Sequence, residues 1–241
     1  MEDFCERIAN FKEILGKGNV VFFGGAGVST ESRVPDFRSS GGIFSQKYDY
    51  PPEVILSHEF FYAKTGVFFD FYKKYMMPLD ASPNAAHKAL ATLERCGILN
   101  AVITQNIDGL HQAAGSRKVL ELHGSIHRNT CTVCGKKYDA RYVAESDGIP
   151  TCDCGGLIKP DVVLYGEPLP AAVFDEAERL VAFATTLIVA GTSLNVYPAA
   201  GLVDFFRGEN LVLVNKTRLN AKGATLVFDE PVGEVFSRVF V

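Results

Sequence analysis

The residues most able to do chemistry lie in four short stretches. Cys131-x-x-Cys134 is followed after seventeen residues by Cys152-x-Cys154. Two close thiolate pairs joined by a short ribbon suit a closed tetrahedral zinc site, which has no open position for water and is structural. Free cysteines and a redox pair are the competing readings, and the second pair is one residue tighter than the common spacing. A zinc site of this kind contributes roughly 10–16 kcal/mol of apparent binding free energy to a lobe with little core of its own. Gly25-Ala26-Gly27 follows an apolar run, where glycine lets a backbone approach a phosphate and free N–H groups stabilise its charge. The dinucleotide fingerprint also needs a third glycine, and Thr30 holds that place, so an ordinary hydride-transferring dehydrogenase is disfavoured.

Asp36-Phe37-Arg38 sets a carboxylate, an aromatic plate and a guanidinium side by side in a loop that could cover a nucleotide, or simply form a solvated turn. Thr104-Gln105-Asn106-Ile107-Asp108-Gly109 puts four hydrogen-bonding side chains at a strand's carboxyl end, where α/β folds bind ligands. Helix capping by Asp108 is the plainer role and is compatible with the first. His123 ends another apolar run and is the candidate general base. Of the other histidines, His87 and His111 fall on or beside helices, where structural hydrogen bonding is expected.

These groups need a scaffold. Short runs rich in Val, Ile and Leu at 19–23, 99–104, 119–122, 162–164, 187–190 and 211–214 read as parallel strands covered on both faces. Between them, helices are expected from Ser82-Pro83 to Gly97, over 170–183, over 198–206 and over 232–239. That alternation predicts a doubly wound α/β sheet. Residues 30–77 and 125–158 break the rhythm and are read as insertions forming a smaller lobe, so that a ligand cleft lies between lobes.

The chain has 241 residues, 47% hydrophobic and 22% charged, with net charge −4. This length supports one large domain with an insertion and needs no disulfide staples. The mild acidity gives no electrostatic reason to expect direct nucleic-acid binding. The amino-terminal residues lack a signal peptide's apolar core, and the longest apolar stretch, 180–191, is too short to cross a bilayer. The expectation is a soluble, cytoplasmic protein that is not bound to a membrane.

Taken in order, the stretches at 25–29, 35–38, 104–111 and 122–124, the cysteine quartet, Lys159-Pro160-Asp161-Val162-Val163-Leu164-Tyr165-Gly166-Glu167, Gly191-Thr192-Ser193-Leu194 and Val214-Asn215 resemble the sirtuin family of NAD-dependent protein deacylases. The resemblance implies a Rossmann-like doubly wound parallel sheet, made of residues 1–29, 78–124 and 159–241. It carries a smaller lobe made of a helical insertion with a cofactor loop (30–77) and a zinc ribbon (125–158). NAD would lie along Gly25, Ala26, Gly27, Thr30, Asp36, Phe37 and Arg38. Gly191, Thr192, Ser193, Asn215 and Lys216 would hold its adenosine half and Gln105 its nicotinamide ribose. Asn106, Ile107 and Asp108 would form the nicotinamide pocket, with Asn106 and Asp108 joining His123 in the catalytic set. One structural zinc would sit on Cys131, Cys134, Cys152 and Cys154.

The implied reaction is removal of acetyl from a lysine side chain. The acyl oxygen attacks the ribose anomeric carbon, nicotinamide leaves, and His123 activates a ribose hydroxyl that captures the acyl group as O-acetyl-ADP-ribose. An acyl-lysine peptide would bind as an added strand against Val163, Tyr165, Gly166 and Glu167, facing Val196. The sequence departs from the family pattern at Gly24, Arg33 and Ser39. The Tyr-x-x-Arg pair of the family's desuccinylating branch becomes Tyr72-Lys73-Lys74-Tyr75, which favours neutral acyl groups. Alternatives are a long-chain deacylase with a tunnel shaped by Phe60, Phe61, Phe68, Phe69 and Met76, a protein ADP-ribosyltransferase, and a non-catalytic NAD- or zinc-dependent binding module.

Overall fold

The structure is a computed structural model that describes residues 3–37, 39, 41–219 and 223–240. The chain runs through α1 (Phe4–Gly16), β1 (Val20–Gly24), α2 (Pro52–Ile55), α3 (His58–Ala63), α4 (Thr65–Tyr75), α5 (Ala85–Arg95), β2 (Leu99–Thr104), α6 (Leu110–Ala113) and β3 (Val119–Glu121). It continues through β4 (Gly124–Cys131), β5 (Lys137–Tyr138), α7 (Ala140–Glu145), β6 (Ile158–Val162), α8 (Ala171–Phe183), β7 (Thr186–Ala190), β8 (Asn210–Val214), β9 (Leu226–Phe228) and α9 (Val232–Ser237).

Six strands form a parallel sheet in the order β3-β2-β1-β7-β8-β9, the doubly wound arrangement with its switch point between β1 and β7. Alternation along each central strand builds a core on each face. Val20 and Phe22 of β1, with Ile188 and Ala190 of β7, face α1, α5 and α9. Val21 and Phe23, with Leu187 and Val189, face α8 and the 3₁₀ segment Ala199–Phe205. Among the described residues no helix is long and apolar enough to cross a membrane.

The smaller lobe joins the antiparallel sheet β5-β4-β6 to the aromatic helices α3 and α4. Phe61 and Phe68 meet edge to face with centroids 4.9 Å apart, and Phe68 stacks on Tyr72 at 5.4 Å. These rings pack with Ile126, Ile158 and Val162 of the sheet. Aromatic burial thus replaces the aliphatic core that this part of the sequence lacks.

Four expectations need correction. The apolar run at 162–164 is not a parallel strand of the main sheet; Val162 ends β6, which pairs antiparallel with β4. An apolar triplet reads alike whether it enters a two-sided sheet or packs one face on an aromatic core. The helix expected from Ser82-Pro83 begins later, because the Asn84 carboxamide accepts from the N–H groups of Ala86 and His87 and forms a capping box with His87. The segment expected as a helix over 198–206 is 3₁₀ rather than α, and the carboxyl-terminal helix ends at Ser237. Helix α1 and edge strand β9 had no expectation attached.

Candidate active site

The carboxyl ends of β1, β2, β7 and β8 open into a cleft of about 1000 Å³, walled on its other side by residues 34–37, 72–76 and 162–167. Its floor is set by close backbone contact between two turns. The Gly27 N–H donates to the Gly191 carbonyl at 2.8 Å, and the Gly25 N–H to Ala190 at 3.1 Å. A Cβ on Gly191 would lie 2.4 Å from the Val28 nitrogen, and its φ of +57° is left-handed, so only glycine fits. Ala26, Thr30, Asp36 and Phe37 line this end, as do Gly191, Thr192, Ser193, Asn215 and Lys216. Thr30 Oγ1 braces the turn by donating to the Gly27 carbonyl. Asp36 Oδ1 accepts the Ser39 N–H, and Phe37 packs edge-on against Phe44. Arg38 lies outside the described residues.

The polar turn after β2 closes on itself around Ser29. The Asn106 carboxamide donates to Ser29 Oγ at 3.0 Å, and that hydroxyl donates to Asp108 Oδ2 at 2.7 Å. Asp108 Oδ1 takes the Leu110 N–H at 2.9 Å, so the carboxylate both caps α6 and faces the cleft. Beneath the turn, Gly109 at φ +72° leaves room for His127, whose Nε2 is 2.9 Å from the Asp108 carbonyl. Ser29 is fully buried. It belongs to the glycine motif, yet no spacing announced a partner 79 residues away.

His123 lies with its Nδ1 2.9 Å from the Gln105 carbonyl. A carbonyl only accepts, so the neutral ring carries its proton on Nδ1 and leaves the Nε2 lone pair free. Burial lowers the imidazole pKa, against a smaller upward pull from the Gln105 bond, which favours the neutral base. The Gln105 side chain in turn donates to Thr192 Oγ1 at 3.0 Å and ties β2 to β7 across the cleft.

His123 is also fastened to the opposite wall, since its carbonyl accepts the Val163 N–H at 2.9 Å. Beyond it the backbone of Tyr165 is fully engaged, donating to the Leu56 carbonyl and accepting the His58 N–H, both at 2.9 Å. A turn at Gly166, φ +89°, returns the Glu167 N–H to the Leu164 carbonyl. Glu167 accepts from the Leu164 N–H at 2.9 Å and Lys159 Nζ at 3.1 Å and sits 2.8 Å from His58 Nδ1. Burial opposes its ionisation, but these partners outweigh it and hold the carboxyl below the ordinary range. His58 and Lys159, unremarked in the sequence, thus fix this wall. Val196 lines the facing loop.

His87 and His111 behave differently from expectation. His87 Nδ1 accepts the Asn84 N–H, but its Nε2 and both nitrogens of His111 have no hydrogen-bond partner among the described residues. The rings pack 4.7 Å apart in the core. Burial drives His87 down to about 4, against the upward pull of Asp108, and burial with the neighbouring His87 drives His111 to about 3.

Away from the cleft, the sulfurs of Cys131, Cys134, Cys152 and Cys154 lie within 4.8 Å of one another, with Cys131–Cys154 and Cys134–Cys152 at 3.5 Å. Four sulfurs about 2.3 Å from one tetrahedral centre lie about 3.8 Å apart, so the set fits one zinc ion. The charges agree. Backbone N–H bonds, the Cys134 one first, lower Cys131, while three neighbouring sulfurs overcome the Gly156 N–H and push Cys154 up to about 12. Four thiolates this close need a cation among them.

A doubly wound parallel sheet with a glycine turn at the mouth of its cleft, joined to a smaller lobe that holds a separate four-cysteine cluster, defines a Rossmann-like protein with a metal-site insertion. Residues 25–198 match the Sir2 family, and the chain belongs to it. It is 52% identical over 240 residues to an NAD-dependent protein deacetylase of Clostridium acetobutylicum, covering 97% of this chain and 98% of that one. It is 50% identical to the enzyme of the same description in Cutibacterium acnes, covering 92% of each. Solved structures agree. A Sir2–p53 peptide–NAD+ complex superposes with TM-score 0.85 at 41% identity, and Sir2Tm bound to a propionylated peptide with TM-score 0.84 at 40%, each covering 97% of both chains.

Proposed function

We propose that this chain is an NAD-dependent protein lysine deacetylase, which converts NAD and an acetyl-lysine peptide into free lysine peptide, nicotinamide and O-acetyl-ADP-ribose. The observation that carries this reading is the His123 ring, neutral, with Nε2 unencumbered on a cleft that joins a glycine turn to a peptide-binding wall. NAD is assigned to the glycine turn, to Asp36, Phe37 and Arg38, and to the loops after β7 and β8. Gln105 meets the nicotinamide ribose, and Asn106, Ile107 and Asp108 receive the nicotinamide. His123 takes the proton of a ribose hydroxyl. Positioning in a water-poor cleft supplies much of the acceleration, because an amide oxygen is a weak nucleophile.

The peptide pairs with the wall at 163–167, opposite Val196. The engagement of Tyr165 with Leu56 and His58, and of the Leu164 N–H with Glu167, supports Gly166 as the residue that offers its backbone to the peptide. Tyr72, Tyr75 and Met76 line the cleft, a neutral set that suits acetyl. Phe60, Phe61, Phe68 and Phe69 instead pack into the lobe core, which speaks against a fatty-acyl tunnel through them. Zinc on the four cysteines stiffens the small lobe when bound. A thiolate zinc site is compatible with a reducing compartment, and we place the protein in the cytoplasm.

Mass spectrometry of products from NAD plus an acetyl-lysine peptide tests the reading. Equal amounts of nicotinamide, free-lysine peptide and O-acetyl-ADP-ribose are expected. ADP-ribose covalently on protein, or no nicotinamide release, would refute it.

A further inference from the structure

We propose that the Tyr138 hydroxyl is a positioning group of the zinc ribbon: it donates to the Cys152 thiolate, holds that sulfur toward its three partners and slows loss of the metal. The proposal rests on the assignment of zinc to the four cysteines and concerns a residue outside the ligand set. Tyr138 Oη lies 3.0 Å from Cys152 Sγ. A thiolate that ligates zinc has no proton to give, so the hydroxyl is the donor of this pair. Four thiolates and one zinc ion leave two net negative charges, which call for donors or cations nearby. Backbone N–H groups meet part of that need. Val133 and Cys134 donate to Cys131 Sγ at 3.4 and 3.5 Å, the Cys154 N–H serves Cys152, and the Gly156 N–H serves Cys154. Among the described residues, Cys152 is the sulfur that a side-chain hydroxyl also reaches.

The hydroxyl is held in place by its strand and its neighbours. Tyr138 ends β5, opposite Asn129 of β4, and its carbonyl accepts from the Asn129 carboxamide at 3.4 Å. Its ring packs on Tyr142 of α7 with centroids 4.5 Å apart. Tyr142 directs its own hydroxyl to the Thr151 carbonyl at 2.9 Å, one residue before Cys152. Lys136 Nζ sits 5.2 Å from the Tyr138 ring centroid and 2.7 Å from Asp153 Oδ2, so a cation lies beside the residue between Cys152 and Cys154. One tyrosine therefore fixes the chain that enters Cys152, and the other fixes its sulfur. A hydrogen bond to an anionic acceptor is stronger than one between neutral groups, and outer partners of this sort are worth ~10–100-fold in metal affinity.

Competition for zinc against a chromophoric chelator, together with optical spectra of protein loaded with Co(II), tests this in the full chain. Tyr138→Phe keeps the ring against Tyr142 and removes only the hydroxyl. It should raise the zinc dissociation constant by about tenfold to a hundredfold. It should also move the thiolate-to-cobalt charge-transfer band to lower energy, because a sulfur that loses a hydrogen bond releases its electrons more readily. Tyr142→Phe, which loses a bond to backbone and none to sulfur, should leave the band in place. An unchanged zinc dissociation constant in Tyr138→Phe would overturn the proposal. So would an unmoved band, or an equal shift in Tyr142→Phe, since ring packing would then be the whole of the residue's role. If the wild-type chain took up no zinc, the assignment beneath would fall too, and metal analysis of that protein registers this separately.

Discussion

At the scale of the residue, the proposed chemistry turns on which nitrogen of His123 holds the proton. The Gln105 carbonyl decides it, and burial keeps the ring neutral below the pH at which an ordinary histidine would charge. In the base role proposed for His123 protonation abolishes activity, so kcat/KM should fall with acid, with its midpoint below the usual histidine value of about 6.5. The pH–rate profile checks this. His123→Ala should lower kcat by ~10²–10⁴ while the zinc content stays the same. His123 was legible among five histidines because it follows an apolar run, and the structure places it in the turn between β3 and β4. Ser29 was not legible as a hub, because Asn106 and Asp108 reach it only after two strands have aligned.

At the scale of the element, the small sheet aims the imidazole. Gly124 follows His123 at φ +76°, and a Cβ there would come 2.0 Å from the Asp161 carbonyl of β6. Gly124→Ala combines that clash with roughly 1–3 kcal/mol of backbone strain. It should lower Tm and also kcat, because the same strand pairing sets the Val163–His123 bond. Thermal melts and steady-state kinetics of the variant measure both. The zinc ribbon is the other dependent element. Near one equivalent of zinc per chain is expected by metal analysis. Cys131→Ser should abolish it and unfold β4–β6 before the main sheet, as read by hydrogen exchange. The central strands were plain from their Val, Ile and Leu runs, but β6 was misplaced because an apolar triplet does not say which sheet it joins.

At the scale of the whole molecule, two cores of the main sheet and one aromatic core of the lobe hold the cleft between them. The first of these cores contacts an acid-labile feature. His87 and His111 are buried neutral, with pKa values of about 4 and about 3. The unfolded chain binds protons at these sites below about pH 6.5 and the folded chain does not, so their contribution to stability is complete above that pH and is lost as the pH falls. Each proton adds a slope of about 1.4 kcal/mol per pH unit between about pH 6.5 and the folded value. His111→Phe, which keeps a ring against Phe22, should flatten the loss of denaturant stability from pH 6 to pH 4. A variant with an unchanged slope would remove His111 from this account.

The amino-acid sequence by itself determined five of the main sheet's six strands, the cysteine cluster and the order of the polar stretches. Strand runs, glycine turns and paired cysteines act through neighbours close in the chain, so their periodicity and spacing are written there directly. Tertiary structure alone decided the contacts that shape the cleft: Ser29 on Asp108, Gln105 on Thr192, and His58 on Glu167. Those groups lie far apart in sequence, and their energies depend on burial and on a few tenths of an ångström, which only the closed packing of both lobes sets.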